Sequence, residues 1–154
     1  MERIEATLML LRKNDEILLA MKKRGFGTGK FNGVGGKLKS GETPEMAMLR
    51  ETEEEIGVIP TKYEKVGVLD FVEFYKGEKA NIVTHLYTAS EWNGEPKESE
   101  EMMPQWVDVK EIPYDRMFAD DKYWLPLVLE GKKLDVFFEF DEDWNVISKR
   151  INEI

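Results

Sequence analysis

The 154-residue sequence predicts an α/β protein, a mixed β-sheet with at least two helices, on three observations. Short stretches that alternate apolar and polar residues recur along the whole chain and are split by turn residues, which is strand patterning. Two segments, 44–56 and 121–130, carry helical periodicity instead. With 42% hydrophobic residues, including eight Phe, five Tyr and four Trp, the chain is long enough to bury one core. No repeat, low-complexity tract or long linker divides it, so a single domain over residues 1–154 is expected.

The elements follow in order. Residues 3–11 and 16–24 read as strands joined by a turn at Lys13-Asn14-Asp15. The glycine-rich stretch RGFGTGKFNGVGGK, residues 24–37, then leads to a helix at about 44–56. Thr43 suits its N-cap, Pro44 its first position and Gly57 its stop. Residues 62–75 and 80–90 form a second expected hairpin around Lys76-Gly77. Further strands are expected at 103–109, 133–140 and 144–150, with a helix at 121–130 despite Pro126.

Composition narrows the chemistry. There is no cysteine, and His85 is the one histidine, so disulfides, thiolate metal sites and histidine clusters are excluded. Any metal must sit on oxygen. His85 lies in the expected strand NIVTHLY and reads as a packed or edge residue. A net charge of −9 disfavours general binding to nucleic-acid polymers or anionic membranes. The start, MERIEATLMLLRKNDE, is acidic where a signal peptide would be basic, and no apolar run reaches membrane length. A cytoplasmic, monomeric protein is expected.

Two features carry the functional reading. Four of the five residues from Glu51 to Glu55 are glutamate. On a helix, Glu51, Glu54 and Glu55 fall within an arc of roughly 100°, with Glu53 nearly opposite Glu51. Like charges at this spacing repel, and by spacing alone the face suits a solvated acidic surface as well as a site. Just upstream, six of the twelve glycines lie between Gly25 and Gly36, among Lys22, Lys23, Arg24, Lys30 and Lys37. That composition suits phosphate, because glycine lets backbone amides approach oxygens closely, but a glycine-rich surface loop reads the same way. It is not a P-loop, since Phe31 and Leu38 stand where glycine and Ser or Thr are needed.

Together the two features resemble a known pattern. Gly36, five residues, Glu42, seven residues and then Arg50-Glu51-Thr52-Glu53-Glu54-Glu55-Ile56-Gly57-Val58 resemble the Nudix box, with Thr52 in place of an aliphatic residue. The segments MKKRGFGTGKFNGVGGK, EEMMPQW and FADDKYWLPLVLEGKK are further similar to the subgroup of 8-oxo-dGTP diphosphatases. The resemblance implies the Nudix fold, an α/β/α sandwich around a mixed sheet. It implies that Glu51, Glu54 and Glu55, with the Gly35 carbonyl and Glu101, bind Mg²⁺ or Mn²⁺. Thr7, Lys22, Asn32, Gly36 and Lys37 would contact substrate, and Phe26, Phe118, Asp120 and Asp121 would meet the base. Phe118 replaces an expected tryptophan and the 71–80 hairpin is slightly long, both of which bear on base preference.

The implied reaction is cleavage of a nucleoside triphosphate to the monophosphate and pyrophosphate, in nucleotide-pool sanitation. Hard oxygen ligands suit Mg²⁺, and a bound cation would offset the repulsion in the glutamate face. Glu54, or Glu55, would take the proton from water, with Arg50 orienting the glutamates and Glu42 serving as a ligand or an outer partner. Asp120 and Asp121 precede the second helix, where N-capping is the plain role; alternatively the pair reads a base and shares a proton. The competing functions are a Nudix hydrolase of dinucleoside polyphosphates or nucleotide sugars, and a nucleotide-sensing module without catalysis.

Overall fold

The computed structural model describes all 154 residues. The alternating segments form β1 (Glu2–Lys13), β2 (Glu16–Lys22), β3 (Phe31–Asn32), β4 (Ile59–Tyr75), β5 (Glu78–Asn93), β6 (Met102–Asp108), β7 (Leu134–Phe140) and β8 (Val146–Glu153). The helical segments form α1 (Pro44–Ile56) and α2 (Asp121–Leu129), with a short 3-10 turn at Tyr114–Arg116 before α2. The sheet order is β3-β2-β1-β5-β4-β7-β8, with β6 on the other edge of β2. β1 runs parallel to β5 and β4 parallel to β7, while the remaining pairs are antiparallel, so the sheet is mixed as expected.

Side-chain alternation along β1 places a helix on each face. Leu8 and Leu10 join Leu69, Phe138 and the α2 residues Trp124, Leu125 and Val128 in one apolar cluster. Met9 and Leu11 point the other way and join Met48 and Ile56 of α1. Period-two strands between two amphipathic helices give the α/β/α sandwich, with a core on each side. Parallel strands need this double cover. No helix is long and apolar enough to cross a membrane.

The first expected hairpin is real only at its turn. Asn14 takes φ 57°, and β1 and β2 pair at Arg12 with Ile17 and Lys13 with Glu16. Beyond that point residues 2–11 pair with β5, β2 pairs with β6, and the two strands diverge. Residues 33–38 fill the opening. The Met9 N–H donates to the Val34 carbonyl (2.7 Å), the Thr7 N–H to Gly36 (2.9 Å) and the Leu38 N–H to Glu5 (3.0 Å). A Cβ at Gly33 would lie 2.7 Å from the Met9 carbonyl oxygen, and one at Gly35 would overlap that of Thr7. These two glycines therefore serve backbone contact first, a role that composition alone did not distinguish from phosphate binding.

The segment expected as a strand to residue 24 ends at Lys22, because Gly25, Gly27 and Gly29 all take positive φ in successive turns. The second hairpin matches its sequence signal. Lys76 (φ 53°) and Gly77 (φ 82°) supply two consecutive left-handed residues, the requirement of a tight turn that follows strand twist.

Candidate active site

The chemistry of α1 begins with its capping. The Thr43 hydroxyl accepts the Met46 N–H at 3.2 Å, Pro44 occupies the first turn, and Gly57 (φ 73°) ends the helix with its N–H on the Glu53 carbonyl. With those ends fixed, Thr52 and Ile56 face the core, Glu55 is buried, and Glu53 is exposed on the far side. The Thr52 hydroxyl donates to the Met48 carbonyl at 2.7 Å, which satisfies it inside the packed face.

Arg50 organises the carboxylates. Its Nε and Nη2 hold the two oxygens of Glu42 at 2.7 and 2.8 Å, and its Nη1 reaches Glu51 at 2.8 Å and Glu54 at 3.1 Å. The Nη2 also donates to the Lys37 carbonyl, tying the helix to the glycine loop. The bidentate Arg50 contact and the Lys39 N–H hold the Glu42 carboxyl down at about 2. Both Glu42 oxygens thereby accept from Arg50, and one of them also from the Lys39 N–H.

Glu55 shows the opposite shift. Burial, then the charge of Glu51 and, less strongly, that of Glu101, raise its carboxyl to about 8, against the opposing hydrogen bond from the Gly35 N–H at 3.4 Å. Glu51 packs on Gly36, where an added Cβ would lie 2.7 Å from the carboxyl carbon. The Gly35 carbonyl, expected as a ligand, accepts no hydrogen bond from the protein. A buried carboxyl facing two more, beside an open carbonyl, is a hard oxygen donor set that favours a divalent cation over its own protons. The residues fit such an ion.

They are not drawn together around a common point, however. No three acidic side chains form a ready metal cluster, because Glu54 is half exposed and turned to Arg50, and Glu101 lies near the Arg24 guanidinium at 3.5 Å.

Next to this face opens a cavity of about 250 Å³. Thr7, Lys22, Asn32, Gly35 and Gly36 border it on the glutamate side. Leu69 and Phe71 of β4 with Ile82 and Thr84 of β5 form part of its lining, and register explains why, since Leu69 pairs with Thr84 and Phe71 with Ile82. At its mouth Phe26 stacks on Phe118 with centroids 5.8 Å apart and meets Trp144 at 4.8 Å. Lys37 departs from the expectation: it does not border the cavity, and its ammonium sits 4.0 Å from the Tyr75 ring centroid.

Asp120 and Asp121 are only 4% and 3% exposed, and both line the cavity. Neither caps α2 through its side chain, so the plain role is corrected. Asp120 accepts the Trp124 indole N–H at 2.7 Å, and Asp121 accepts the Phe118 N–H at 3.1 Å. Burial lifts Asp120 to about 6; burial and the neighbouring Asp120 charge lift Asp121 well above the usual carboxylate range. The charge of Asp120 thus opposes ionisation of Asp121 beside it.

His85, as expected, is a strand residue away from this site, placed between Lys65 Nζ (2.8 Å) and Glu5 (3.0 Å). Three cavity residues were missed. Lys30 stood only among the basic residues of the glycine-rich stretch, and neither Trp144 nor Glu73 was singled out. Glu73 had a signal, since it shares strand parity with Leu69 and Phe71.

The profile of the NUDIX domain matches residues 1–128. The chain is 43% identical over 148 residues to the oxidized purine nucleoside triphosphate hydrolase of Danio rerio, covering 96% of this chain and 94% of the relative. Against the protein of that name in Mus musculus the identity is 41% with the same coverage. Among solved structures, the mutator MutT protein from Bacillus halodurans superposes with a TM-score of 0.85 at 28% identity, over 97% of each chain. The capped glutamate helix, its Arg50 clasp and the glycine loop lie within the matched residues, and the chain belongs to the NUDIX domain family.

Proposed function

We propose that the protein hydrolyses oxidised purine nucleoside triphosphates, with 8-oxo-dGTP as the type substrate, to the monophosphate and pyrophosphate. The observation that carries this reading is the buried Asp120–Asp121 pair in an aromatic-rimmed cavity directly beside the glutamate face. A half-protonated pair can both accept and donate, which matches the N–H and carbonyl groups side by side on an oxidised guanine. The names of the Danio rerio and Mus musculus relatives support the same substrate class.

Family members use divalent metal ions, and here Glu51, Glu54, Glu55 and Glu101 with the Gly35 carbonyl would hold Mg²⁺ or Mn²⁺. When bound, such an ion neutralises the phosphates, polarises the phosphoryl oxygens and lowers the pKa of water. Phe26 and Phe118 clamp the base, while Lys22 and Asn32 border the path towards the phosphates. Glu54, or Glu55, takes the proton of a water whose oxygen bonds to one phosphorus of the α–β anhydride; the bridging P–O bond at that phosphorus breaks and its electron pair leaves on the departing group, giving the monophosphate and pyrophosphate. Arg50 keeps Glu51 and Glu54 oriented. We read residues 1–154 as one domain acting as a cytoplasmic monomer.

The test is a magnesium-dependent panel of oxidised and normal purine triphosphates, dinucleoside polyphosphates and ADP-ribose compared by kcat/KM. Oxidised purine triphosphates should lead. A lead by dinucleoside polyphosphates or ADP-ribose would refute the reading.

A further inference from the structure

Leu69, Phe71 and Glu73 follow one another on the same face of β4, and all three line the cavity. The first two serve the apolar core. Glu73 breaks the pattern where an apolar residue would suit the fold. Opposite it on β5 stands Ala80, a small buried residue that leaves its side chain room. No hydrogen bond or ion pair with the protein neutralises the Glu73 carboxyl; burial, then the charge of Asp120, pushes it up to about 7. An unpartnered, half-buried carboxyl beside another acid costs stability and does nothing for packing. Its group is supplied to whatever enters the cavity.

We propose that Glu73 is a specificity-determining residue that reads a second polar group of the base, apart from the group read by Asp120 and Asp121. The inference rests on the proposed function and deepens it. A purine carries two polar edges, and three carboxyls around one cavity can address both. Oxidation at C8 places an N–H on the five-membered ring where the unmodified base has a bare acceptor nitrogen. A carboxylate accepts from that N–H, whereas it faces the bare nitrogen lone pair to lone pair. Ionised, as it is above about pH 7, Glu73 thereby favours the donor-rich, oxidised purine, and both ratios below are read at about pH 8.

The test compares Glu73→Leu and Glu73→Gln with wild type. The first readout is the ratio of kcat/KM for 8-oxo-dGTP over dGTP. The second is the ratio of calorimetric affinities for 8-oxo-dGMP and dGMP without metal. In Glu73→Leu both ratios should fall by about tenfold or more, the scale of a lost polar contact in a reading site. Glu73→Gln, which keeps an acceptor oxygen and the shape, should fall between. The melting temperature of unliganded Glu73→Leu should equal or exceed that of wild type, because an unpartnered acid has been removed. Ratios within about twofold of wild type in both variants would overturn the proposal. So would a lost ratio accompanied by a lower melting temperature, which would make Glu73 a structural residue. If wild type itself shows no preference for oxidised purines, the proposed function falls and this inference with it; if the preference exists and survives Glu73→Leu, this inference alone falls.

Discussion

Arg50 reaches three carboxylates and one carbonyl, and the balance among these partners sets what each glutamate can do. Glu54→Gln removes a charge with little change in volume, and turnover should drop by roughly 10²–10⁴-fold while the fold persists, as judged by circular dichroism. Glu53→Gln, on the exposed far side of α1, should keep wild-type turnover; equal losses in both would refute the helical-face assignment. Much of this was legible in the sequence, because a helix converts spacing into direction, and the spacing of Glu51, Glu54 and Glu55 is fixed. What was not legible is rotamer choice. Nothing in the order of residues says that Glu54 turns to Arg50, that Lys37 lies over Tyr75, or that Trp144 closes on Phe26.

The same division holds for elements. Punctuation residues announced α1 and the β4–β5 turn, since Thr43, Pro44, Gly57 and Gly77 each do one local job. Thr43→Ala should cost about 1 kcal/mol in urea unfolding, the usual value of a lost N-cap, and a change near zero would contradict the capping bond. Thr52 departs from the aliphatic residue of the family pattern, yet its hydroxyl bonds back to Met48 within the helix and does not line the cavity beside the glutamate face. Thr52→Val should therefore leave kcat/KM unchanged and keep or raise stability by up to about 1 kcal/mol. The long-range pairings were not readable. Adjacent strands 3–11 and 16–24 looked like a full hairpin, but β1 finds its main partner in β5, 78 residues on, and the glycine loop takes the place beside it. Local turn signals cannot encode which distant edge a strand joins.

At the scale of the whole molecule the buried acids couple the cavity to stability. Asp120, Asp121 and Glu73 all have folded pKa values above their unfolded ones, so their contribution is fully present below about pH 4 and is lost as pH rises through about 6 and 7. Glu42, held at about 2, acts in the opposite sense: its contribution is present above about pH 4.5 and is lost as pH falls through about 2. The melting temperature of the metal-free protein should fall from about pH 5 to about pH 8, and Asp121→Asn should flatten that fall. A slope identical in wild type and Asp121→Asn would mean that the pair does not titrate in this window. Mg²⁺ should raise the melting temperature by binding the folded state, and Glu51→Gln combined with Glu55→Gln should blunt the rise. The central claim is that the substrate is recognised by the aspartate pair, not merely hydrolysed by the glutamate face. The measurement that tests it most directly is the ratio of kcat/KM for 8-oxo-dGTP over dGTP in wild type, Asp120→Asn and Asp121→Asn, with folding and the Mg²⁺ response verified in each. A strong preference in wild type should fall by about tenfold or more in at least one variant; an unchanged ratio in both would refute recognition by the aspartate pair.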